Sequence, residues 1–204
     1  MTQAPFPIIL AITGASGAPY AVRLLEQLVE HGVSVWLIVS SHGFRLLETE
    51  SGISSLAELR VAAGADAFDR FVTVFDDNDR GAKPASGSAR SGGMIICPCS
   101  MGTVSAVAHG TSRSLVERAA DVVLKERRPL LLVTRETPLS LVHLESMTAV
   151  TRAGAVVMPA APGFYHQPQA ISELVDFMVA RILDHVGVDH RLGRRWGGDI
   201  ATDG

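Results

Sequence analysis

The sequence predicts an α/β fold of the doubly wound type, with a mainly parallel sheet and helices on both of its faces. Short runs of Val, Ile and Leu show little alternation, which is typical of strands that are buried on both sides. Segments with apolar residues at helical spacing lie between these runs. Turns rich in glycine, serine and proline follow the runs, where each strand would end. Together these three observations predict a Rossmann-like or flavodoxin-like arrangement.

The apolar runs place the strands at residues 8–12, 33–39, 71–75, 94–97, 130–134 and 155–158. Helical spacing predicts helices from near residue 20 and over residues 44–50, 56–63, 104–109, 114–126, 141–152 and 171–186. Residues 76–93 show neither pattern. A loop of this length inside a compact domain is usually functional or disordered.

Length and composition limit the class of protein. The 204 residues suit one α/β domain, predicted over residues 1–190, followed by a basic tail at 191–204 that carries Arg191, Arg194, Arg195 and Trp196. The hydrophobic content of 47% and charged content of 19% are those of a compact chain. A net charge of −3, without a Lys/Arg cluster that includes aromatic residues, argues against nucleic acid as a partner. No apolar stretch is long enough to span a membrane.

The two cysteines, Cys97 and Cys99, predict a reducing, cytoplasmic setting. They are too close in the sequence for a routine structural disulfide, and two cysteines alone cannot form a zinc site. The sequence identifies no base beside them, so we expect them to pack in a strand-to-loop turn rather than to act as nucleophiles. No group of His, Asp and Glu has the spacing of metal ligands.

The unusual loops all follow predicted strands, at residues 13–17, 40–41, 99–102, 135–137 and 159–168. Because ligands of such sheets bind beyond the carboxyl ends of the strands, these loops are expected to meet at one edge. The first loop, Thr13-Gly14-Ala15-Ser16-Gly17, precedes a helix whose N-terminus carries about half a positive charge. It lacks the glycine spacing of dinucleotide-binding loops, so a tight turn without a ligand is the alternative. Hydroxyls, glycines and a few charges at one edge suit a planar cofactor with a phosphate.

Several polar residues are candidates for the site, each with a simpler alternative. Ser16 and Ser40 could donate hydrogen bonds to a phosphate or a ring, although a helix N-cap is the more common role. Glu50 lies about two turns into the segment after the second strand, where a surface carboxylate is the alternative. Arg118 and Lys125 share one face of a helix, and a solvated face is the default for such a pair.

Charges at strand ends and at the edges of apolar stripes carry more weight. Arg135 and Glu136 directly follow a predicted strand. Arg181 lies at the edge of the apolar stripe of the last helix, where a charge needs a partner or an aqueous pocket. It either extends to the surface or binds an anionic substrate group, with Tyr165 as a neighbouring donor.

Seven stretches in a fixed order resemble the UbiX family of flavin prenyltransferases. They are Thr-Gly-Ala-Ser-Gly-Ala (13–18), Pro-Ala-Ser-Gly-Ser (84–88), Cys-Pro-Cys-Ser-Met-Gly-Thr (97–103), Glu-Arg-Ala-Ala-Asp-Val-Val-Leu-Lys-Glu-Arg-Arg-Pro (117–129), Arg-Glu-Thr-Pro-Leu-Ser (135–140), His-Leu-Glu-Ser-Met (143–147) and Pro-Ala-Ala-Pro-Gly-Phe-Tyr-His-Gln-Pro (159–168). Any one of them is a weak signal, but the ordered set is highly specific. One position departs from the family, which often has a tryptophan after Asn-Asp at the border of the prenyl pocket; this chain has Arg80.

The resemblance implies a reaction in which the flavin is a substrate. The dimethylallyl group of dimethylallyl phosphate is joined to reduced FMN at N5 and C6, without a metal. The prenylated FMN then serves a UbiD-type decarboxylase. The resemblance also implies a homo-oligomer, usually a dodecamer, with active sites at the subunit contacts.

The resemblance further implies a role for each candidate residue. The FMN contacts are Gly14, Ala15, Ser16, Ser40, Ser100, Met101, Gly102, Thr103 and Arg118. The prenyl phosphate contacts are Lys125, Arg135, Tyr165 and Arg181, with Glu136 beside them. Glu50 takes part in proton transfer, and Ser16 lies near N5 of the flavin.

Two other functions stay open at this stage. One is an FMN-dependent decarboxylase of the cysteine type, in which the predicted prenyl phosphate contacts have no evident role. The other is a non-catalytic FMN carrier, which would bind FMN without consuming prenyl phosphate. The sequence also leaves open whether the pathway is ubiquinone synthesis or aromatic acid breakdown, and whether the donor is a monophosphate or a pyrophosphate.

Overall fold

The computed structural model describes residues 6–193, in which six strands form one sheet. The strands are β1 (Ile8–Ile12), β2 (Val35–Val39), β3 (Val72–Phe75), β4 (Gly93–Cys99), β5 (Leu130–Thr134) and β6 (Val156–Pro159). Their order across the sheet is β3-β2-β1-β4-β5-β6, and every pairing is parallel. The predicted fold class and the six predicted strands are confirmed.

Helices connect the strands. They are α1 (Ala18–Glu30), α2 (Ser41–Ser51), α3 (Leu56–Ala62), α4 (Ala65–Phe71), α5 (Met101–His109), α6 (Leu115–Lys125), α7 (Leu141–Arg152) and α8 (Ile171–Val186). A short 3-10 helix, Lys83–Ala85, lies in the irregular segment before β4. The predicted helices are present, with ends that differ by a few residues at most.

Alternate residues of β1 enter two separate core clusters, because successive side chains of a strand point to opposite faces of the sheet. Leu10 and Ile12 pack in the cluster that includes α1 and α8. Ile9 and Ala11 pack in the cluster that includes α5 and α6. Helices α8 and α6 therefore lie on opposite faces of the sheet.

Two details of the sequence prediction are wrong. Helix α4 was not predicted, because only Phe68 of its residues is buried and no apolar repeat marks it. Strand β4 continues to Cys99, so Cys97 and Cys99 lie within a strand rather than in a turn. Both thiols are free, and burial raises the pKa of each, which makes them poor nucleophiles. They pack in the core, as expected.

The part of the chain that the structure describes bears on three further expectations. Within residues 6–193, no helix is long and apolar enough to cross a membrane. Within the same residues, no three His, Cys, Asp or Glu side chains are grouped so that they could hold a metal ion. Of the predicted basic tail, Arg191 belongs to the described residues, whereas Arg194, Arg195 and Trp196 lie outside them.

Candidate active site

Of the five loops predicted to meet at one edge of the sheet, those after β1, β2 and β4 are joined there by hydrogen bonds. The Thr13 hydroxyl donates a hydrogen bond to the Pro98 carbonyl at 2.8 Å and accepts one from the Ser100 amide at 3.0 Å. The Ser40 amide donates to the Ile12 carbonyl at 3.0 Å. These bonds join three loops that are far apart in the sequence. Thr13 is nearly inaccessible to solvent, so its role is to hold the loops together.

A cavity of about 330 Å³ opens at this edge. Its lining residues are Thr13, Gly14, Ser40, Ser41, His42, Asp77, Ser100, Thr103, Ser114, Val116 and Glu117. The N-termini of three helices begin at the cavity, capped by the hydroxyls of Ser40 (α2), Ser100 (α5) and Ser114 (α6). Helix N-termini favour a bound anion, so the starts of α2 and α5 suit the phosphate of a flavin nucleotide. At the start of α6 the amides of Leu115, Val116 and Glu117 are already bonded to Asp77 and Ser114.

Two glycines allow the loops at this edge to approach closely. A Cβ added to Gly43 would come too close to the Ile12 carbonyl oxygen, which belongs to the backbone and cannot easily move. A Cβ added to Gly14 would lie 2.5 Å from Cβ of His42. The absence of side chains at Gly14 and Gly43 therefore lets the first loop and the start of α2 pack against each other beside the cavity.

Glu50 is the candidate residue with the most specific surroundings. Its carboxylate reaches from the end of α2 to the start of α1 and accepts hydrogen bonds from the amides of Gly17 and Ala18, each at 2.8 Å. Burial raises the pKa of this carboxyl, but hydrogen bonds from Gly17, Ser16 and Ala18, together with the charge of Arg135, outweigh burial and lower the pKa. The alternative of a simple surface carboxylate is wrong.

Two further carboxylates line the cavity and fix the start of α6. Asp77 accepts a hydrogen bond from the Val116 amide at 2.9 Å. Glu117 accepts from the amide of Arg113 at 2.7 Å and from its Nη2 at 2.8 Å. Burial raises the pKa of Glu117, but the bonds with Arg113 outweigh it and lower the pKa.

Sequence reasoning did not select Thr13, His42, Asp77 or Glu117 as residues of the site. Asp77 and Val116 are 39 residues apart in the sequence, so no local pattern could have paired them. For Thr13, the only available signal was its position directly after the first strand.

Comparison with known proteins decides the family. Residues 2–183 match the Flavoprotein family. A flavin prenyltransferase UbiX of Pseudomonas aeruginosa is 50% identical over 200 residues, which covers 95% of each chain. The crystal structure of AnUbiX (PadA1) in complex with FMN and dimethylallyl pyrophosphate has 40% identity and a TM-score of 0.87, over 95% of this chain and 98% of that chain. A dodecameric FMN-dependent UbiX-like decarboxylase from Escherichia coli O157:H7 has 40% identity and a TM-score of 0.86, over 94% of this chain and 100% of that chain.

The chain belongs to the UbiX family of flavin prenyltransferases. The resemblance given by the seven stretches is confirmed, as are the transferase class and FMN as the flavin. The roles of individual residues remain predictions, and their positions in the structure are as follows.

Most of the predicted FMN contacts lie at the carboxyl edge of β1, β2 and β4. Gly14, Ser40, Ser100 and Thr103 line the cavity. The remaining positions differ: Ala15 is buried, Ser16 bonds to Glu50, Met101 packs in the core, and Gly102 is exposed. Ser40 and Ser100 also have the N-cap role that was the alternative for such serines. Arg118 lies on α6, paired with Asp121 at 2.8 Å, and does not line this cavity.

The predicted prenyl phosphate contacts are Lys125, Arg135, Tyr165 and Arg181, here called the phosphate set. Tyr165 and Arg181 line a second cavity of about 930 Å³, between α8, the loop after β6 and residues 190–193. Arg181 pairs there with Asp184 at 3.1 Å while half of its side chain, 53%, stays exposed. It therefore has both the partner and the aqueous pocket that its position predicted.

The other two members of the phosphate set lie elsewhere. Arg135 is exposed at the carboxyl end of β5, where its charge acts on Glu50. Glu136 is exposed beside it and accepts a hydrogen bond from the Thr137 amide at 3.2 Å. Lys125 ends α6 near the amino end of β5 and pairs with Glu126 at 2.9 Å. The five residues of β5 span about 16 Å, and Lys125 and Arg135 lie beyond opposite ends of this strand. A single chain thus does not gather the phosphate set at one point.

Proposed function

We propose that this chain transfers the dimethylallyl group of dimethylallyl phosphate to N5 and C6 of reduced FMN and so forms prenylated FMN. The allylic C–O bond breaks with its electron pair leaving on phosphate, and the N5–C bond forms. A second bond then joins C6 to the prenyl group, while one proton leaves C6 and one is added to the alkene. Overall, the proton lost from N5 is carried by the released phosphate.

Glu50 is the observation that carries this proposal. A base is needed to remove the C6 proton, and a carboxylate serves only in its ionised form. The hydrogen bonds that lower the pKa of Glu50 favour this ionised form. The hydrogen bonds from Gly17 and Ala18 fix it beside Ser16, the residue proposed to lie near N5. Glu136 and the released phosphate are the other groups that could exchange protons.

The flavin would lie across the loops after β1, β2 and β4, with Gly14, Ala15, Ser16, Ser40, Ser100, Met101, Gly102, Thr103 and Arg118 as its contacts. The cavity at this edge and the N-termini of α2 and α5 that begin there support this placement. The phosphate set would bind the leaving phosphate, since cations and a phenol stabilise the charge that develops there.

We infer that the phosphate set is completed between copies of the chain in a homo-oligomer. Lys125 lies near the amino end of β5, whereas Arg135 directly follows its carboxyl end. Helices α6 and α8 lie on opposite faces of the sheet. The similar Escherichia coli protein is dodecameric, which supports such an assembly.

The proposal also includes the wider setting of the protein. Residues 1–190 would form a single flavin-binding domain, with residues 191–204 as its tail. The protein would act in the cytoplasm and deliver prenylated FMN to a UbiD-type decarboxylase.

The test is anaerobic incubation with reduced FMN and dimethylallyl phosphate, followed by mass spectrometry of the extracted flavin. We expect a flavin heavier by one five-carbon unit, and a rate about 100-fold lower for Glu50→Gln, since a general base contributes at least that much. Glu48→Gln is the matched control, because Glu48 is exposed on the same helix.

Other outcomes would identify the alternatives. If FMN stays unmodified with dimethylallyl phosphate but is prenylated with dimethylallyl pyrophosphate, the donor is the pyrophosphate and not the monophosphate. Unmodified FMN with both donors, and no effect of Glu50→Gln on bound FMN, would support a carrier. Consumption of a cysteine-containing acid with release of carbon dioxide would support a decarboxylase.

A further inference from the structure

One stretch shared with the family has no role in the site described so far. Pro84-Ala85-Ser86-Gly87-Ser88 lies in the long segment between β3 and β4. It begins in the 3-10 helix, where Pro84 is buried and Ala85 packs against the core cluster that includes α6. The stretch is therefore anchored at its start, next to the helix that carries Lys125.

Arg128 holds the other half of this loop. Its Nη2 donates to the Gly87 carbonyl at 2.6 Å, and its Nη1 donates to the Ala89 carbonyl at 2.9 Å and to the Ser91 hydroxyl at 3.5 Å. Only 18% of its side chain is exposed, and its carboxylate neighbour Glu126 is 4.0 Å away. The guanidinium therefore mainly donates hydrogen bonds to the loop, and its ion pair with Glu126 is the weaker contact.

The loop passes directly against Lys125. A Cβ added to Gly87 would lie 3.1 Å from the Lys125 ammonium nitrogen and would overlap a carboxylate oxygen of Glu126. The hydroxyls of Ser86 and Ser88 lie 3.0 Å from one another on the same loop. The position of this backbone therefore limits where the flexible Lys125 side chain can place its charge.

We propose that Arg128 is a positioning residue of the prenyl phosphate site. It fixes residues 86–89 through two carbonyls, and these residues set the position of the Lys125 ammonium. The inference rests on the proposed function, because it takes Lys125 as a contact of the prenyl phosphate. A planar fork with several donors can hold two carbonyls at once, which a lysine ammonium at the end of a flexible chain does poorly.

The test compares Arg128→Met, Arg128→Lys and the control Arg127→Met, all as full-length protein. Arg127 is exposed and neighbours Arg128, and methionine at this position keeps an unbranched side chain. For Arg128→Met we expect the KM for dimethylallyl phosphate to rise about tenfold. The hydrogen bonds from the charged Arg128 side chain to the loop are lost, so the loop no longer holds the Lys125 ammonium in place. The kcat and the Kd for FMN should stay close to wild type, and the Tm should fall by only a few degrees, because the hydrogen bonds that are lost are local to this loop. Amide hydrogen exchange at residues 86–91 should become faster, and Arg128→Lys should give intermediate values.

Three results would overturn the inference. An unchanged KM despite faster exchange at residues 86–91 would mean that the loop is held by Arg128 but does not serve the substrate. Unchanged exchange would mean that Arg128 does not hold the loop. Parallel losses in KM, kcat, FMN affinity and Tm would mean a general structural role. Failure of the proposed function itself is distinct, because wild type and Arg127→Met would then both leave FMN unmodified, and both proposals would fall.

Discussion

The flavin edge, formed by the loops after β1, β2 and β4, and the phosphate set are built in different ways. The flavin edge depends on the backbone: hydrogen bonds at Thr13, helix N-termini and two glycines bring three loops together within one chain. The phosphate set consists of long side chains on separate elements, of which Lys125 pairs with Glu126 and Arg181 with Asp184. Under the proposed function, one site would therefore combine a part that is preformed within one chain with a part that is completed by assembly.

Glu50 and Arg135 connect the two regions. Glu50 belongs to the flavin edge through its hydrogen bonds to Gly17 and Ala18, and Arg135 belongs to the phosphate set. The charge of Arg135 helps to lower the pKa of Glu50. The proposed proton-transfer group is thus placed between the proposed flavin site and a member of the phosphate set.

The largest effect should come from the phosphate set. We expect Lys125→Met to lower kcat/KM for dimethylallyl phosphate by about 100-fold, because a developing phosphate charge loses a cation. The Kd for FMN should not change, since Lys125 lies far from the flavin edge. Steady-state kinetics and flavin fluorescence titration would measure the two quantities. A loss of FMN affinity as large as the loss in kcat/KM would contradict the separation of the phosphate set from the flavin edge.

Gly43→Ala should damage the flavin edge instead. The added Cβ would press on the Ile12 carbonyl and move α2 away from β1, at a cost of about 2 kcal/mol in the free energy of unfolding. Urea denaturation would measure this loss, and FMN affinity should fall with it. Gly81→Ala is the control, because its Cβ would touch only a flexible carboxylate at 3.4 Å. Equal stability of the two variants would contradict the close approach at Gly43.

Asp77→Ala should have a smaller effect on the same edge. The buried Val116 amide would lose its acceptor, which costs about 1 kcal/mol of stability. Asp77→Asn keeps an acceptor oxygen and should recover most of that loss. If both variants unfold at the same urea concentration, the hydrogen bond does not stabilise α6.

The smallest effect concerns pH. The pKa of Glu50 is lower in the folded chain than its usual value, so its contribution to stability is present above the pKa of the unfolded chain. That contribution is lost as the pH falls through the lower, folded pKa. We therefore expect Glu50→Gln to narrow the difference in urea midpoint between neutral pH and pH of about 3. An unchanged difference would mean that the hydrogen bonds to Gly17 and Ala18 do not favour the charged form.

The sequence could predict the sheet and its carboxyl edge, because apolar runs and glycine-rich turns are local signals. It could also point to Glu50 through the family resemblance, but not to its partners Gly17 and Ala18, which lie 33 and 32 residues away. Asp77 was missed for the same reason, since its contact with α6 depends on folding. Helix α4 was missed because its single buried residue, Phe68, leaves no repeat. The separation of Lys125 from Arg135 follows from strand direction, which becomes clear only once α6 and β5 are placed.

Mixed oligomers test the central claim most directly, that one prenyltransferase site takes its phosphate contacts from more than one copy. Lys125→Met and Arg181→Met chains with different tags would be co-expressed and purified by both tags. Each variant alone should be nearly inactive in the mass spectrometric prenylation assay. The mixed oligomer should recover about a quarter of wild-type activity, because random mixing restores both side chains at that share of sites. Activity no higher than that of the single variants would mean that each chain supplies its own Lys125 and Arg181, and would contradict the account.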